Sequence, residues 1–130
     1  MSVPSGYRYT REHEWLKVEP GNRARVGITD YAQTELGDVV FAELPASGSA
    51  AQRGKAFSSV ESVKAVSDVY SPVDGKVLEV NTSLGDSPEL LNQHPYSEGW
   101  MALIEMTDPK QADALMDSEA YEAYLSEIAK

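Results

Sequence analysis

The chain has 130 residues, a net charge of −10 at pH 7 and no cysteine. Its 42% hydrophobic and 25% charged fractions are typical of a soluble globular protein, and we expect a single domain over residues 1–130. The 11 basic residues are scattered among 21 acidic ones, which argues against nucleic acid as a partner because phosphate binding needs clustered Lys and Arg. The absence of cysteine excludes disulfides, catalytic thiolates and cysteine-ligated zinc.

The sequence predicts no membrane association. No apolar run approaches the ~20 residues that a membrane-spanning helix needs. The segment from Met1 to Gly6 contains neither a basic region nor an apolar stretch, so no export signal is visible. We therefore expect a protein of the bacterial cytoplasm.

Hydrophobic alternation and turn signals predict a chain dominated by short strands. The predicted strands cover about residues 14–18, 23–28, 39–44, 57–62, 66–71, 76–80 and 100–106. Turns are expected at Pro20-Gly21-Asn22 and Pro72-Val73-Asp74-Gly75, and a loop rich in Ala, Ser and Gly covers residues 46–55. Four aromatic side chains are expected in the core rather than on a binding surface: Trp15, Phe41, Tyr70 and Trp100.

Two short helical segments interrupt this pattern of strands. Asp30 is the predicted N-cap of the first, with Gln33 three residues later as in a capping box and Gly37 at its end. The second is a helical turn over about residues 86–91, with Pro88 near its first position.

The C-terminal segment, about residues 109–128, is predicted to be helical. Asp108 caps a short helix that extends to about Met116. A second helix covers about residues 118–128, with apolar residues at i, i+3, i+4 and i+7 that should pack on the strands. We thus expect a mainly β fold with a core over about residues 7–106: two antiparallel sheets packed as a flattened barrel or sandwich, with short helices and a C-terminal helix.

A faint internal repeat suggests a body made of two similar halves. Gly27 and Leu36-Gly37-Asp38 recur as Gly75 and Leu84-Gly85-Asp86 at the same spacing. Four matched residues of common types also arise by chance, so the repeat alone is weak support.

No catalytic or metal-binding motif is present. The chain lacks a Gly-rich phosphate loop ending in Lys-Ser or Lys-Thr, a G-x-S-x-G elbow and an H-E-x-x-H pair. Its two histidines, His13 and His94, are far apart in the sequence. We predict no catalytic residue and no metal.

The strongest candidate for chemistry is Lys64, which lies between two predicted strands in Glu61-Ser62-Val63-Lys64-Ala65. A lysine at the tip of a tight hairpin projects into solvent, where a modifying enzyme can acylate its amine. Acylation removes the charge and leaves a long flexible tether. The small neighbours Ser62 and Ala65 leave the approach open. By spacing alone, an ordinary solvated lysine is the simpler interpretation.

Several blocks of sequence resemble the glycine cleavage H proteins, in order from about Tyr7 to Tyr124. Glu61 to Ala65, followed by Ser71 to Gly75 and Glu79-Val80-Asn81, resembles the lipoylation region of that family. The other matching blocks are Tyr9-Thr10 with His13-Glu14-Trp15, Gly27 to Gln33, Leu36 to Phe41, Ser87 to Leu90 with Asn92, Pro95-Tyr96 and Gly99-Trp100.

The resemblance implies a barrel-sandwich hybrid of the lipoyl-domain type, with lipoic acid bound covalently to Lys64 in the context of Glu61, Ser62, Val63 and Ala65. It implies a carrier without catalytic activity of its own. The lipoyl-lysine accepts an aminomethyl group from a pyridoxal-phosphate-dependent glycine decarboxylase and presents it to a tetrahydrofolate-dependent aminomethyltransferase. Dihydrolipoyl dehydrogenase then reoxidises the dithiol, and a lipoate ligase or an octanoyl or lipoyl transferase attaches the group initially.

The segment Glu12-His13-Glu14 has two interpretations. It could line a surface groove that receives a charged, amine-bearing arm, or it could be a hydrated strand edge. Two alternative functions also stay open. One is a related protein that serves mainly as a depot of lipoyl groups for other enzymes, and the other is an unmodified interaction module.

Overall fold

The computed structural model describes residues 1–129, which form nine strands and five helices. The strands are β1 (Arg8–Tyr9), β2 (Glu14–Glu19), β3 (Arg23–Ile28), β4 (Val39–Glu43), β5 (Ala50–Ala51), β6 (Ala56–Ser62), β7 (Val66–Tyr70), β8 (Gly75–Val80) and β9 (Ala102–Met106). The helices are α1 (Asp30–Leu36), α2 (Ser83–Asp86), α3 (Leu90–Gln93), α4 (Lys110–Asp113) and α5 (Ser118–Ile128).

The strands form two antiparallel sheets. One sheet has six strands in the order β1-β2-β3-β9-β8-β5, and the other has three strands in the order β4-β6-β7. In the smaller sheet β6 and β7 form a hairpin whose register pairs Glu61 with Val66, so that residues 62–65 make its tip. The predicted mainly β fold of two antiparallel sheets with short helices and a C-terminal helix is confirmed.

The two copies of the internal repeat occupy related places. Gly27 and Gly75 lie in β3 and β8, the two strands that flank β9. Leu36 and Leu84 are buried in the same apolar cluster, which also contains Val60 from beneath the hairpin. Gly75 is required by close packing, since a Cβ atom there would lie 2.2 Å from the carbonyl oxygen of Glu105.

An aromatic cluster attaches the C-terminal helix to the strands. The rings of Tyr9 and Tyr121 stack with centroids 4.6 Å apart, and both side chains are fully buried. Trp15 is buried beside them and donates its indole N–H to the carbonyl of Pro95 at 2.8 Å. The prediction that the apolar face of α5 packs on the strands is therefore confirmed.

Phe41 is a correction to the sequence analysis, because its side chain is 53% exposed and not part of the core. The register of β4 on β6 shifts between Val39 and Phe41, which marks a bulge. The extra residue, Val40, is exposed as well, whereas Val39 and Ala42 point inward. The continuous apolar run from Val39 to Ala42 does not reveal such a bulge, so the prediction that Phe41 lies in the core was wrong. Of the other three predicted core aromatics, Trp15 is buried, while Tyr70 and Trp100 are half-buried.

Helix boundaries account for the other differences. Thr29, not Asp30, caps α1, since the Thr29 hydroxyl accepts the Ala32 N–H at 3.2 Å. Asp30 instead accepts from the Gln33 side chain at 2.7 Å. The predicted turn at residues 86–91 is two short helices, α2 and α3, with Pro88 between them.

The first C-terminal helix is shorter than predicted and ends at Asp113. Met116 leaves the helical path to exchange two backbone hydrogen bonds with Tyr9. Among residues 1–129, no helix is long and apolar enough to span a membrane.

Candidate functional site

The tip of the β6–β7 hairpin holds Lys64 in a turn organised by Ser62. The Ser62 hydroxyl accepts the backbone N–H groups of Lys64 at 3.3 Å and Ala65 at 3.1 Å. The Ser62 N–H donates to the Ala65 carbonyl at 2.8 Å, and the Val63 N–H donates to the Asp38 carbonyl at 3.0 Å. The backbone of the tip is thus fixed, while the Lys64 side chain is exposed.

Gly37 lies directly beside the stem of Lys64. A Cβ atom on Gly37 would lie 3.4 Å from the Lys64 Cε atom. Gly37 ends α1 with φ 77° and ψ −158°, a conformation that is essentially restricted to glycine. The end of α1 therefore leaves room beside the lysine.

A groove of about 350 Å³ starts next to the hairpin tip, at Ala65 and Val66. It runs between α1, the residues that precede β2, and the edge strand β7. Four carboxyl-bearing side chains line it: Glu12, Glu14, Glu35 and Asp68. His13 and Tyr31 also line the groove, and their rings contact each other with centroids 4.4 Å apart. The groove therefore gathers carboxyl-bearing residues next to the hairpin tip that holds Lys64.

Glu14 is the buried carboxyl group of this groove, at 3% exposure. One carboxyl oxygen accepts the Thr10 hydroxyl at 2.5 Å, and the other accepts the Tyr70 N–H at 3.1 Å. Burial raises the pKa of Glu14 to about 7, although both hydrogen bonds oppose that rise. A change of pH near neutrality therefore changes the charge of the groove.

His13 connects the wall of the groove to the C-terminal helix. Its backbone is in the left-handed region, with φ 71°, and its Nδ1 atom is hydrogen-bonded to the Tyr121 hydroxyl at 2.8 Å. The same hydroxyl lies 2.8 Å from the Thr29 hydroxyl, which caps α1. Burial lowers the pKa of His13, which favours the neutral ring. Helix α5 thus supports both α1 and the groove through one buried hydroxyl.

The structure brings together part of the predicted site. Glu12, His13 and Glu14 line one groove, and the expectation that this groove receives an amine-bearing arm stays a prediction. In the attachment segment, Ser62 is buried and shapes the turn, whereas Glu61 is exposed in the cross-strand row that contains Phe41 and Val66.

The sequence analysis missed Glu35 and Asp68 as groove residues. Asp68 lies on an edge strand, and Glu35 lies in the last turn of α1. Both positions look like ordinary solvated acids in the sequence, because only the fold brings them near Glu14. Within the described part of the chain, no three His, Asp or Glu side chains could jointly hold a metal ion.

Comparison with known proteins agrees with the predicted resemblance. The family model described as glycine cleavage H-protein matches residues 7–128. The glycine cleavage system H proteins of Brevibacillus brevis and Coprothermobacter proteolyticus are each 53% identical over 127 residues, which is 98% of this chain and all of theirs.

A solved structure is similar as well. It is the crystal structure of a glycine cleavage system H protein from Mycobacterium marinum, with a TM-score of 0.86 and 33% identity. The match covers 98% of this chain and 100% of that one. The resemblance inferred from the sequence blocks is therefore confirmed. The chain belongs to the glycine cleavage H-protein family, a membership that supports a lipoyl carrier role in the glycine cleavage system.

Proposed function

We propose that Lys64 bears a lipoyl group in amide linkage and that the protein carries aminomethyl groups between enzymes of the glycine cleavage system. The observation that supports this most is the pairing of two features. An exposed lysine lies at a rigid hairpin tip, and a groove with four carboxyl side chains begins at the next residue. Neither feature alone would distinguish a carrier from an ordinary surface hairpin.

The residues around Lys64 fit such an attachment. The side chain is exposed, and its stem passes a glycine at position 37, so no side chain obstructs the lysine where α1 ends. Ser62 fixes the backbone, so that the lysine can move while its Cα atom does not. When bound, the lipoyl group supplies a reducible disulfide, which a chain without cysteine does not otherwise contain.

The proposed role of the groove is to hold the charged end of the loaded arm. Glu12, Glu14, Glu35 and Asp68 attract a protonated amine, and the groove walls from Ile28, Val60 and Val69 exclude water beside it. Glu14 contributes most when it is ionised, because it is the most buried of these four carboxyl groups. Glu12 and His13 form the outer wall in this proposal.

The proposed partners are a pyridoxal-phosphate-dependent glycine decarboxylase, a tetrahydrofolate-dependent aminomethyltransferase and dihydrolipoyl dehydrogenase. A lipoate ligase or an octanoyl or lipoyl transferase modifies the lysine. The net charge of −10 favours basic docking faces on these proteins, and it keeps copies of the carrier apart. Because the relatives reported above are bacterial, the proposed compartment is the bacterial cytoplasm.

Replacement of Lys64 by arginine tests the proposal. Arginine keeps the charge and a long stem, but its guanidinium stays protonated and is a poor nucleophile towards an acyl donor. In chain purified from its natural host, we expect one lipoyl group per molecule on the wild type and none on Lys64→Arg. Lys76→Arg, a matched change on β8, should be modified normally.

Reconstituted glycine cleavage provides the second measurement. The Lys64→Arg variant should support no more activity than a mixture without carrier, while its melting temperature stays unchanged. Peptide mapping that places the lipoyl group on one of the other five lysines would contradict the assignment. Unmodified Lys64 in native material would favour the interaction module. The depot function would be favoured by a different result. In that case wild-type Lys64 is fully modified, and Lys64→Arg abolishes lipoyl transfer to other enzymes but leaves glycine cleavage unaffected.

A further inference from the structure

The outer surface around the hairpin tip is unusually apolar for this acidic protein. Seven large apolar side chains are exposed among residues 1–129, and four of them belong to β4 or the β6–β7 hairpin. These four define the tip patch: Val40, Phe41, Val63 and Val66. Val63 and Val66 are 68% and 69% exposed, although each lies within two residues of Lys64.

The backbone pairing makes these side chains neighbours. Phe41 of β4 pairs with Glu61 of β6, and Glu61 pairs with Val66 of β7, so the three lie in one row across the smaller sheet. At the tip, the Val63 N–H donates to the carbonyl of Asp38, which directly precedes β4. The tip patch therefore consists of exposed apolar residues of the hairpin and of the strand β4 that pairs with it.

The rim of this surface is acidic. Asp38 is exposed directly before β4 and Glu43 at its end, while Glu61 is exposed between Phe41 and Val66 in the row across the sheet. An apolar centre with a charged rim is the usual composition of a protein interface, and exposed apolar patches on monomers mark such sites. A partner that fits this surface presents an apolar hollow bordered by Lys and Arg.

We propose that the tip patch is the surface that the acyl-attaching enzyme binds when it modifies Lys64. This inference rests on the proposed function, because it requires Lys64 to be the attachment site. In the reaction, the deprotonated Nζ atom attacks the carbonyl carbon of an activated octanoyl or lipoyl group, held as a thioester or an acyl adenylate. The C–N bond forms as the C–S or C–O bond breaks, the thiol or AMP leaves, and the amine proton passes to solvent.

The short reach of the lysine selects this enzyme among the partners. Before modification, only the four-carbon stem of Lys64 separates its Cα atom from the amine that must enter the enzyme active site. The enzyme surface must therefore contact the hairpin tip, where Val63 and Val66 are exposed, and it reaches Val40 and Phe41 on the neighbouring strand β4. A partner that acts on the finished arm works at a greater distance, so it needs these contacts less.

A kinetic comparison of patch variants tests the inference. The chain without its lipoyl group is modified by purified lipoate ligase with lipoate and ATP, and the product is followed by intact mass. The double variant Phe41→Thr with Val66→Thr places a residue with high strand propensity at two exposed strand positions, so we expect it to fold. Its kcat/KM for modification should fall by about tenfold, because a few residues carry most of the binding energy of an interface and the variant removes the only aromatic side chain of the tip patch.

Two controls separate docking from other effects. Val18→Thr makes the same change at a valine that is 54% exposed on β2 of the other sheet, and it should leave kcat/KM unchanged. A small acetylating reagent that is too small to contact the patch should modify Lys64 equally in all variants. Melting temperatures confirm that each variant is folded.

The measured rates decide whether the tip patch binds the acyl-attaching enzyme. Slower enzymatic modification with unchanged reagent acetylation supports the docking surface. Wild-type kcat/KM in the double variant overturns it, and so does an equal loss in Val18→Thr. If the double variant is modified normally but no longer supports the glycine decarboxylase reaction, the tip patch binds that enzyme instead and the inference is wrong. If wild-type Lys64 is not modified at all, the proposed function fails as well, which is a distinct result.

Discussion

The buried carboxyl group of Glu14 should make the protein less stable as the pH rises from about 4.5 to about 7. Its pKa is raised from 4.5 to about 7 in the folded chain by burial. Between these pH values the folded protein holds a proton that the unfolded chain has lost, so the free energy of unfolding falls with rising pH. At about 1.4 kcal/mol per pH unit, the full effect of this one group is about 3 kcal/mol.

Replacement of Glu14 by glutamine should remove this effect. A glutamine side chain can imitate the protonated acid, because its oxygen can accept the Tyr70 N–H and its NH₂ group can donate to the Thr10 hydroxyl. Near pH 5 the variant and the wild type should therefore have similar stability. At pH 8 the variant should be more stable by up to about 3 kcal/mol, since it carries no buried charge.

Urea unfolding from pH 5 to pH 8 measures the difference in unfolding free energy between variant and wild type. The difference isolates Glu14, because other titrating groups affect both proteins alike. Glu12→Gln is the matched control, since Glu12 is exposed on the same groove. A difference that stays constant across this pH range would refute the reasoning. By the proposed function, the stabilised Glu14→Gln variant should also hold an amine-bearing arm less well.

Three further predictions concern the scaffold and the arm. Tyr121→Phe removes two hydrogen bonds at a buried hydroxyl, so it should lower the free energy of unfolding by about 1–3 kcal/mol in urea. Tyr124→Phe, at a half-buried ring, should lower it less, and equal losses would contradict this reasoning. Gly75→Ala should lower the free energy of unfolding by about 3 kcal/mol or more, because the added Cβ atom would overlap the Glu105 backbone. Gly85→Ala has open space around the added atom and should be neutral or stabilising. A stable Gly75→Ala protein would show that β8 and β9 can separate. The unmodified and lipoylated chains should differ by no more than about 0.5 kcal/mol in calorimetry, and a larger difference would show that the unloaded arm packs on the body.

The sequence predicted the parts of this molecule that depend on local pattern. Alternation and turn signals located seven of the nine strands among residues 1–129, but they missed β1 and also β5, which lies in the predicted loop of residues 46–55. The apolar spacing of residues 118–128 predicted α5 and the face that it buries. Contacts between distant residues were not predictable in this way. Tyr121 supports the groove through His13, which is 108 residues away, and no local signal links the two.

Competition between equivalent local solutions explains the remaining errors. Thr29 and Asp30 are both residues that favour the N-cap position. Thr29 takes that position in α1, and the Asp30 carboxyl group accepts a hydrogen bond from the Gln33 side chain instead. Phe41 has the composition of a core residue, but a bulge turns it outward onto the surface beside Lys64. In the candidate site, Lys64 was identifiable by its sequence context, whereas Glu35 and Asp68 needed the fold.

The Ser62 hydroxyl, by accepting the N–H groups of Lys64 and Ala65, gives any group on Lys64 a fixed pivot. The free end of an arm on a fixed pivot explores a small volume, so a nearby groove meets it at an effective concentration of millimolar order. A groove with an intrinsic Kd of about 1 mM, equivalent to only about −4 kcal/mol, would then be about half occupied. Gain or loss of a single charge–charge contact, worth about 1 kcal/mol at a partly exposed site, would change the ratio of bound to free arm about fivefold. Because the turn fixes the attachment point, weak binding is enough to keep the arm in the groove for part of the time. A partner enzyme can release the arm from the groove at a low cost in free energy.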